Sequence, residues 1–167
     1  MRVELHLADP RWPDVFDRVA NGLAIALGSS ACIEHVGSTA VPGLAAKPII
    51  DVLVGLPDDA SLRDVVKLLE QLGFKVGELG SPQSQSAFLH RPGHCGELPV
   101  NLHLTVTGSA QWNDLIQFRA ALRNDPFLRT TYEAIKRRLI FQSNGDLDIY
   151  TMGKTPFVVE VLGSLHD

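Results

Sequence analysis

Residues 34–54 read EHVGSTAVPGLAAKPIIDVLV, and the order of residue types there sets the reading of the whole chain. Residues 31–36 have the content of a short strand, and the Gly, Ser and Pro scattered over 37–48 belong to a loop. Residues 49–54 form an apolar run broken only by Asp51, the pattern of a strand buried on both faces. Gly37 lets the backbone turn tightly and approach a ligand with no side chain in the way. Ser38 and Thr39 then offer hydroxyls and backbone N–H groups, donors that suit a phosphate oxygen. A carboxylate inside an apolar strand is costly unless a metal, a cation or hydrogen bonds receive it. Asp51 is therefore either a ligand-site carboxylate or a structural acid, capped by backbone or paired with Lys47.

Outward from this stretch the elements alternate. Residues 3–7 read as a short strand. Trp12, Val15, Phe16, Val19, Leu23 and Leu27 then recur at helical spacing down to Gly28. Ser61 with Asp64 three residues on is a capping-box signature, and it opens a helix that Gly73 ends. Residues 74–76, 87–90 and 100–106 read as further strands, with the polar stretch 78–86 as a loop. Ser109 caps one helix, Asn124-Asp125-Pro126 caps a second, and Thr155-Pro156 starts a last short one. The sum is an α+β fold in one domain over residues 1–167, a small mixed sheet carrying a helical C-terminal third.

Composition bounds the function. The chain has 167 residues, 45% hydrophobic and 20% charged, which is globular and excludes a disordered or low-complexity scaffold. A net charge of −4 carries no strong nucleic-acid signal. The longest apolar runs, such as residues 22–27, are too short to span a membrane. No apolar leader stands among Arg2, Glu4 and Asp9, and Cys32 and Cys95 have neither zinc nor disulfide spacing. A soluble cytoplasmic protein is expected. Six of the fifteen basic residues, Arg119, Arg123, Arg129, Lys136, Arg137 and Arg138, fall between 119 and 138 against Asp125 and Glu133. This run reads either as a solvated helical face, with Glu133 and Arg137 paired at i, i+4, or as a basic wall facing a polyanion.

Several chemistries are set aside by spacing. No Gly-Lys-Ser/Thr follows Gly37 as a Walker loop requires, and Glu34-His35 lies on a strand without a second His four residues on. His35 and Ser38 lack the strand–turn–helix elbow of an acyl-transfer nucleophile. His90, His94, Cys95 and His103 crowd one region without matching a standard metal set; they are loop and strand residues or, less conventionally, metal ligands.

The run from His35 through Val36-Gly37-Ser38-Thr39 and Val41-Pro42-Gly43-Leu44 to Lys47-Pro48-Ile49-Ile50-Asp51 resembles the signature of the GrpB family. That family is similar in fold to the nucleotidyltransferases. The likeness continues with Phe118-Arg119, Leu122-Arg123, Asp125-Pro126, Tyr132, Lys136 and Lys154-Thr155-Pro156-Phe157. It implies a nucleotidyltransferase-like mixed sheet that binds a nucleotide or another phosphorylated small molecule. Gly37 and Ser38 would hold the phosphates, and Thr39, Lys47, Arg119 and Arg123 would join them. Asp51 would be the catalytic and first metal-binding carboxylate for Mg²⁺ or Mn²⁺, with Glu34 or His103 as helpers. The superfamily's second carboxylate falls on Leu53, and Ala120 stands where relatives place an acid. Two-metal phosphoryl transfer needs several hard oxygen ligands. The resemblance thus implies either nucleotidyl transfer or a non-catalytic nucleotide-binding or accessory module with a degenerate metal site.

Overall fold

The apolar run around Asp51 becomes a central strand of a five-stranded sheet. In a computed structural model, described over residues 4–57, 60–80, 85–144 and 146–165, the strands are β1 (Cys32–Val36), β2 (Ile50–Leu56), β3 (Lys75–Leu79), β4 (Ala87–Arg91) and β5 (Val100–Val106). Their order is β1-β2-β5-β4-β3. β2 and β5 pair in parallel, and the other pairs are antiparallel. The helices are α1 (Trp12–Leu27), α2 (Leu62–Gln71), α3 (Ala110–Asn124), α4 (Pro126–Ser143) and α5 (Leu147–Ser164). Among the described residues no helix is long and apolar enough to cross a membrane.

One face of the sheet is closed by α1 and α2. Val52, Val54, Leu89, Leu102 and Leu104 meet Trp12 and Leu23 from α1 and Val66 and Leu69 from α2 in one buried cluster. The opposite face carries the C-terminal helices. α3 seats directly on β2, where Gly55 leaves room that the Trp112 ring fills. α4 and α5 pack in turn at Gly153, against Leu139. A second core joins loop residues Val41 and Leu44 to Leu122 and Tyr132, with Phe118 and Phe157 against it. Tyr132 stacks on Phe157 at 5.2 Å and meets Phe118 edge-on at 5.3 Å, so the loop after β1 is anchored in the helical third.

Three expectations are corrected. Residues 3–7 form no strand in their described part; only His6 bridges Ala46, with N···O distances of 2.8 and 2.9 Å, because no neighbouring strand extends the pairing. β3 runs on to Leu79 through a bulge at Gly77, so part of the expected 78–86 loop is sheet, and residues 81–84 lie outside the described ones. The last helix begins at Leu147 rather than near Thr155. Asp146 caps it by accepting from the Asp148 and Ile149 amides, and Pro156 sits inside it. The lost hydrogen bond is cheap there, because Met152, whose carbonyl Pro156 cannot satisfy, is exposed to water.

Candidate functional site

The register of the sheet gathers the site. Asp51 lies beside Asn101, and Leu53 beside His103, on the two parallel strands. Val36 faces Asp51 and Glu34 faces Leu53 across the β1 pairing. Cross-strand partners share a face, so Asp51, Asn101 and His103 all point away from the closed core. The turn Ser38–Ala40 follows β1 directly. A cavity of about 820 Å³ opens between this face and the C-terminal helices, lined by Gly37, Ser38, Thr39, Lys47, Asp51 and His103 among the expected site residues.

Gly37 and Asp51 require each other's geometry. Gly37 has φ +71°, and a Cβ there would stand 2.9 Å from the Cβ and Cγ of Asp51 and closer still to Oδ2. Only glycine meets both conditions. Asp51 Oδ1 accepts from Asn101 Nδ2 at 2.9 Å and lies 3.8 Å from His103 Nε2. Burial pushes the carboxyl pKa up, but His103, Asn101 and the charge of Lys154 outweigh it and hold the group below the usual carboxylate range. The paired-acid position is filled by Leu53, which is fully buried.

Facing this carboxylate are two lysines. Lys47 Nζ stands 5.3 Å and Lys154 Nζ 4.7 Å from the centroid of one ring, Tyr150. Among the described residues neither has a carboxylate within 4 Å. Burial lowers the pKa of both, and Lys47 lowers that of Lys154 further. Burial pushes the Tyr150 phenol up to about 12, so the ring stays neutral beneath two cations.

The basic run divides: Arg137 and Arg138 form the expected solvated face, with Arg137 paired to Glu133 at i, i+4, while Arg119 and Arg123 do not form the expected wall of the cavity. Arg119 and Arg123 are not among the residues lining the cavity. Arg119 Nη1 donates to Glu34 Oε2 at 2.7 Å and to the His35 carbonyl at 2.6 Å. Arg123 donates twice to the Ala40 carbonyl, at 2.9 and 2.7 Å. Both guanidinium groups therefore hold β1 and its loop from behind the site. Glu34, an expected metal helper, is tied up in the Arg119 ion pair and lies outside the cavity lining. Arg137 and Arg138 are exposed and Arg129 half-buried. Glu133 pairs with Arg137 at 2.7 Å and also accepts the Ala45 amide at 3.1 Å.

His35 faces the closed core instead. Its ring stacks on Phe16 at 4.6 Å and its Nε2 lies 3.0 Å from Thr39 Oγ1. Burial pushes its pKa down to about 4, so it is a neutral packing residue that steadies the turn. His90 and His103 line the cavity, whereas His94 and Cys95 are exposed in the following loop. Among the described residues no group of three or more His, Cys, Asp or Glu is placed to hold a metal ion.

A family profile described as GrpB protein matches residues 2–164. The chain belongs to the GrpB family. A UPF0157 protein of Halalkalibacterium halodurans is 36% identical over 155 residues, covering 92% of this chain and 77% of that one. The dephospho-CoA kinase of Mycolicibacterium paratuberculosis is 30% identical over 179 residues, which span 93% of this chain but 44% of the kinase. Among solved structures, GrpB from Enterococcus faecalis superposes with a TM-score of 0.78 at 28% identity, over 98% of this chain and all of that one. The Cid1 poly(U) polymerase gives a TM-score of 0.59 at 12% identity over 89% of this chain and 49% of the polymerase. That likeness establishes a nucleotidyltransferase-like fold and nothing finer.

In this GrpB chain the sequence singles out neither Lys154 nor Tyr150 as a site residue, and it marks the buried Lys136 only as one of six residues in the basic run. Lys136 Nζ lies 3.2 Å from Ser38 Oγ, donates to the Ala45 carbonyl and stands 5.0 Å from the Tyr132 centroid. Lys136 and Lys154 stood in the quoted family-like run, but nothing in their spacing separates a buried lysine from a solvated one. Tyr150 carries no signal of its own, because it lies ahead of the Thr155-Pro156 pair that marks a helix start in the sequence.

Proposed function

We propose that this chain binds the phosphates of a nucleotide or another phosphorylated small molecule in the cavity between the Gly37–Thr39 turn and α5. The observation that carries the reading is the pair of lysine ammonium groups, Lys47 and Lys154, held over one tyrosine with no carboxylate within salt-bridge distance among the described residues. Two like charges held together in a partly buried site repel, and a multivalent anion between them removes that cost. The turn adds the Ser38 hydroxyl on the same cavity wall. The nucleotidyltransferase-like fold and a relative that is a dephospho-CoA kinase support nucleotide chemistry.

The residues present do not fit a paired-metal clamp. Asp51 is one carboxylate, Leu53 fills the second position, and Glu34 is held by Arg119. Two cations about 3.5–4 Å apart need more hard oxygen ligands than this. One Mg²⁺ or Mn²⁺ held through Asp51, beside His103, would neutralise phosphate charge. We therefore read the site as a binding module rather than a transferase.

The test is a thermal-shift and calorimetric panel of ATP, UTP, GTP, CTP, pyrophosphate and dephospho-CoA, each with Mg²⁺, Mn²⁺ or chelator. A ligand at 100 times its Kd stabilises by about 2.7 kcal/mol. Lys154→Ala and Lys47→Ala should each lose most of that shift. If no phosphorylated compound shifts the wild type, the reading fails. Robust Mg²⁺-dependent pyrophosphate release would overturn the binding-module assignment, and Leu53→Asp measures whether the missing acid alone blocks transfer.

A further inference from the structure

Lys136 is the most deeply buried cation among the described residues, 1% exposed, and it lies behind the turn rather than in the cavity lining. It links two parts of one loop, donating to the Ala45 carbonyl and lying 3.2 Å from Ser38 Oγ. Ser38 itself faces the cavity. A hydroxyl has one hydrogen to give and two lone pairs to accept with, whereas an ammonium only donates. When Lys136 is charged, Ser38 must accept from it, and the single Ser38 hydrogen is left to point elsewhere. The Tyr132 phenol beside Ser38 keeps its proton because burial pushes its pKa up, so it can donate that hydrogen into the second Ser38 lone pair and leave the Ser38 hydrogen for the cavity. When Lys136 is neutral its nitrogen accepts, and the Ser38 hydrogen can turn inward, away from the cavity.

We infer that Lys136 is a positioning residue whose protonation aims the Ser38 hydroxyl into the cavity as a donor, so that binding of a phosphate oxygen at Ser38 is coupled to proton uptake on Lys136. The inference rests on the phosphate-binding reading above and deepens it. It also narrows the ligand chemistry, because a donor fixed in this way selects an anionic oxygen acceptor over a group that only donates.

The surroundings place the switch near neutrality. Burial lowers the Lys136 pKa to about 7; Glu133 on its own helix opposes that, while Lys154 from α5 and Arg137 add to it. Its remaining contacts among the described residues, Tyr132, the Ser38 hydroxyl and the Ala45 carbonyl, carry no charge. An anion at Ser38 favours the charged lysine. If only that form aims Ser38 correctly, apparent affinity scales with the protonated fraction, which drops about fivefold between pH 7 and pH 8.

Calorimetry with ATP and with pyrophosphate, in chelator, at pH 7 and pH 8 and in buffers of different ionisation enthalpy, tests this directly. The wild type should take up a fraction of a proton, and its Kd should rise about fivefold from pH 7 to pH 8. Burial lowers the pKa of Lys47 and Lys154 as well, so the decisive quantity is the difference from Lys136→Arg, which stays charged and should lose the part of the pH dependence that belongs to Lys136. Ser38→Ala serves as an independent variant. It keeps Lys136 but removes its link to the ligand, and should bind more weakly with the same flattened profile. Wild type, Lys136→Arg and Ser38→Ala sharing one pH slope and one proton stoichiometry would overturn the coupling while leaving phosphate binding intact. Failure of the wild type to bind either probe at both pH values would overturn the phosphate-binding reading, and the coupling with it.

Discussion

The two faces of this sheet are built from the same strands and do opposite work. On the closed face, Val52, Val54, Leu102 and Leu104 are fully buried against α1 and α2. On the open face, the alternate residues of those strands are Asp51, Asn101 and His103, which line the cavity, and Leu53, which is fully buried beside them. Only one side of a strand needs aliphatic packing to hold the sheet together, so the other side is free to carry polar groups. The cost of that freedom is met locally. Asp51 has Asn101 and His103, and the loop above it is held by Arg123, Glu133 and Lys136 rather than by its own hydrogen bonds alone.

Adjacent residues of β5 give the sharpest contrast between the faces. Leu102→Ala should cost about 2–5 kcal/mol in chemical denaturation, because it opens a cavity in the closed core. Asn101→Ala, one residue away, should cost much less stability yet weaken phosphate binding, since it removes the donor that steadies Asp51. Similar stability losses at both positions would mean that the open face is packed as core too.

The next effect is a pH dependence from the closed side. Folded His35 has a pKa near 4, below the ordinary 6.5. The unfolded chain therefore binds more protons than the folded one between these values. Unfolding free energy should fall as pH drops through the window from 6.5 to 4, by roughly 3 kcal/mol at most. Denaturation at successive pH values should show this slope, and His35→Gln should remove it while leaving any further loss at lower pH, where the depressed Asp51 carboxyl takes up its proton.

At the boundary between the faces, Gly37→Ala should cost about 1–3 kcal/mol through its left-handed φ. It should also displace the Asp51 carboxylate, so phosphate affinity should fall along with stability. Arg119→Ala should cost about 2 kcal/mol, the order of a charge-assisted hydrogen-bond pair. Lys154→Ala should leave stability closer to wild type and reduce phosphate affinity more. Arg138→Glu, on the exposed side of α4, should stay within about 0.5 kcal/mol of wild type. A drop in phosphate affinity at Arg138 equal to that at Lys154 would reduce the site to general electrostatics.

What the sequence determined by itself was whatever local chemistry specifies. The strand–turn–strand order of residues 34–54, the caps at Ser61, Ser109 and Asp125, and the alternation that sets Asp51 and Leu53 on one face all follow from short-range rules. Residues 4–7 and the start of the last helix depart from those rules because there the outcome depends on a neighbour: a strand needs a partner, and a proline opens a helix only if no earlier cap has done so. The identity of the site cations was decided only in three dimensions. Arg119, Arg123, Lys136 and Lys154 look alike along the chain, because a long flexible cationic side chain takes its role from the acceptor its end reaches. Two of those ends reach β1 and its loop, one reaches the back of Ser38, and one stands over Tyr150 in the cavity. Packing α3, α4 and α5 over the open face made that assignment, since it alone set which charged ends meet backbone carbonyls and which meet open space.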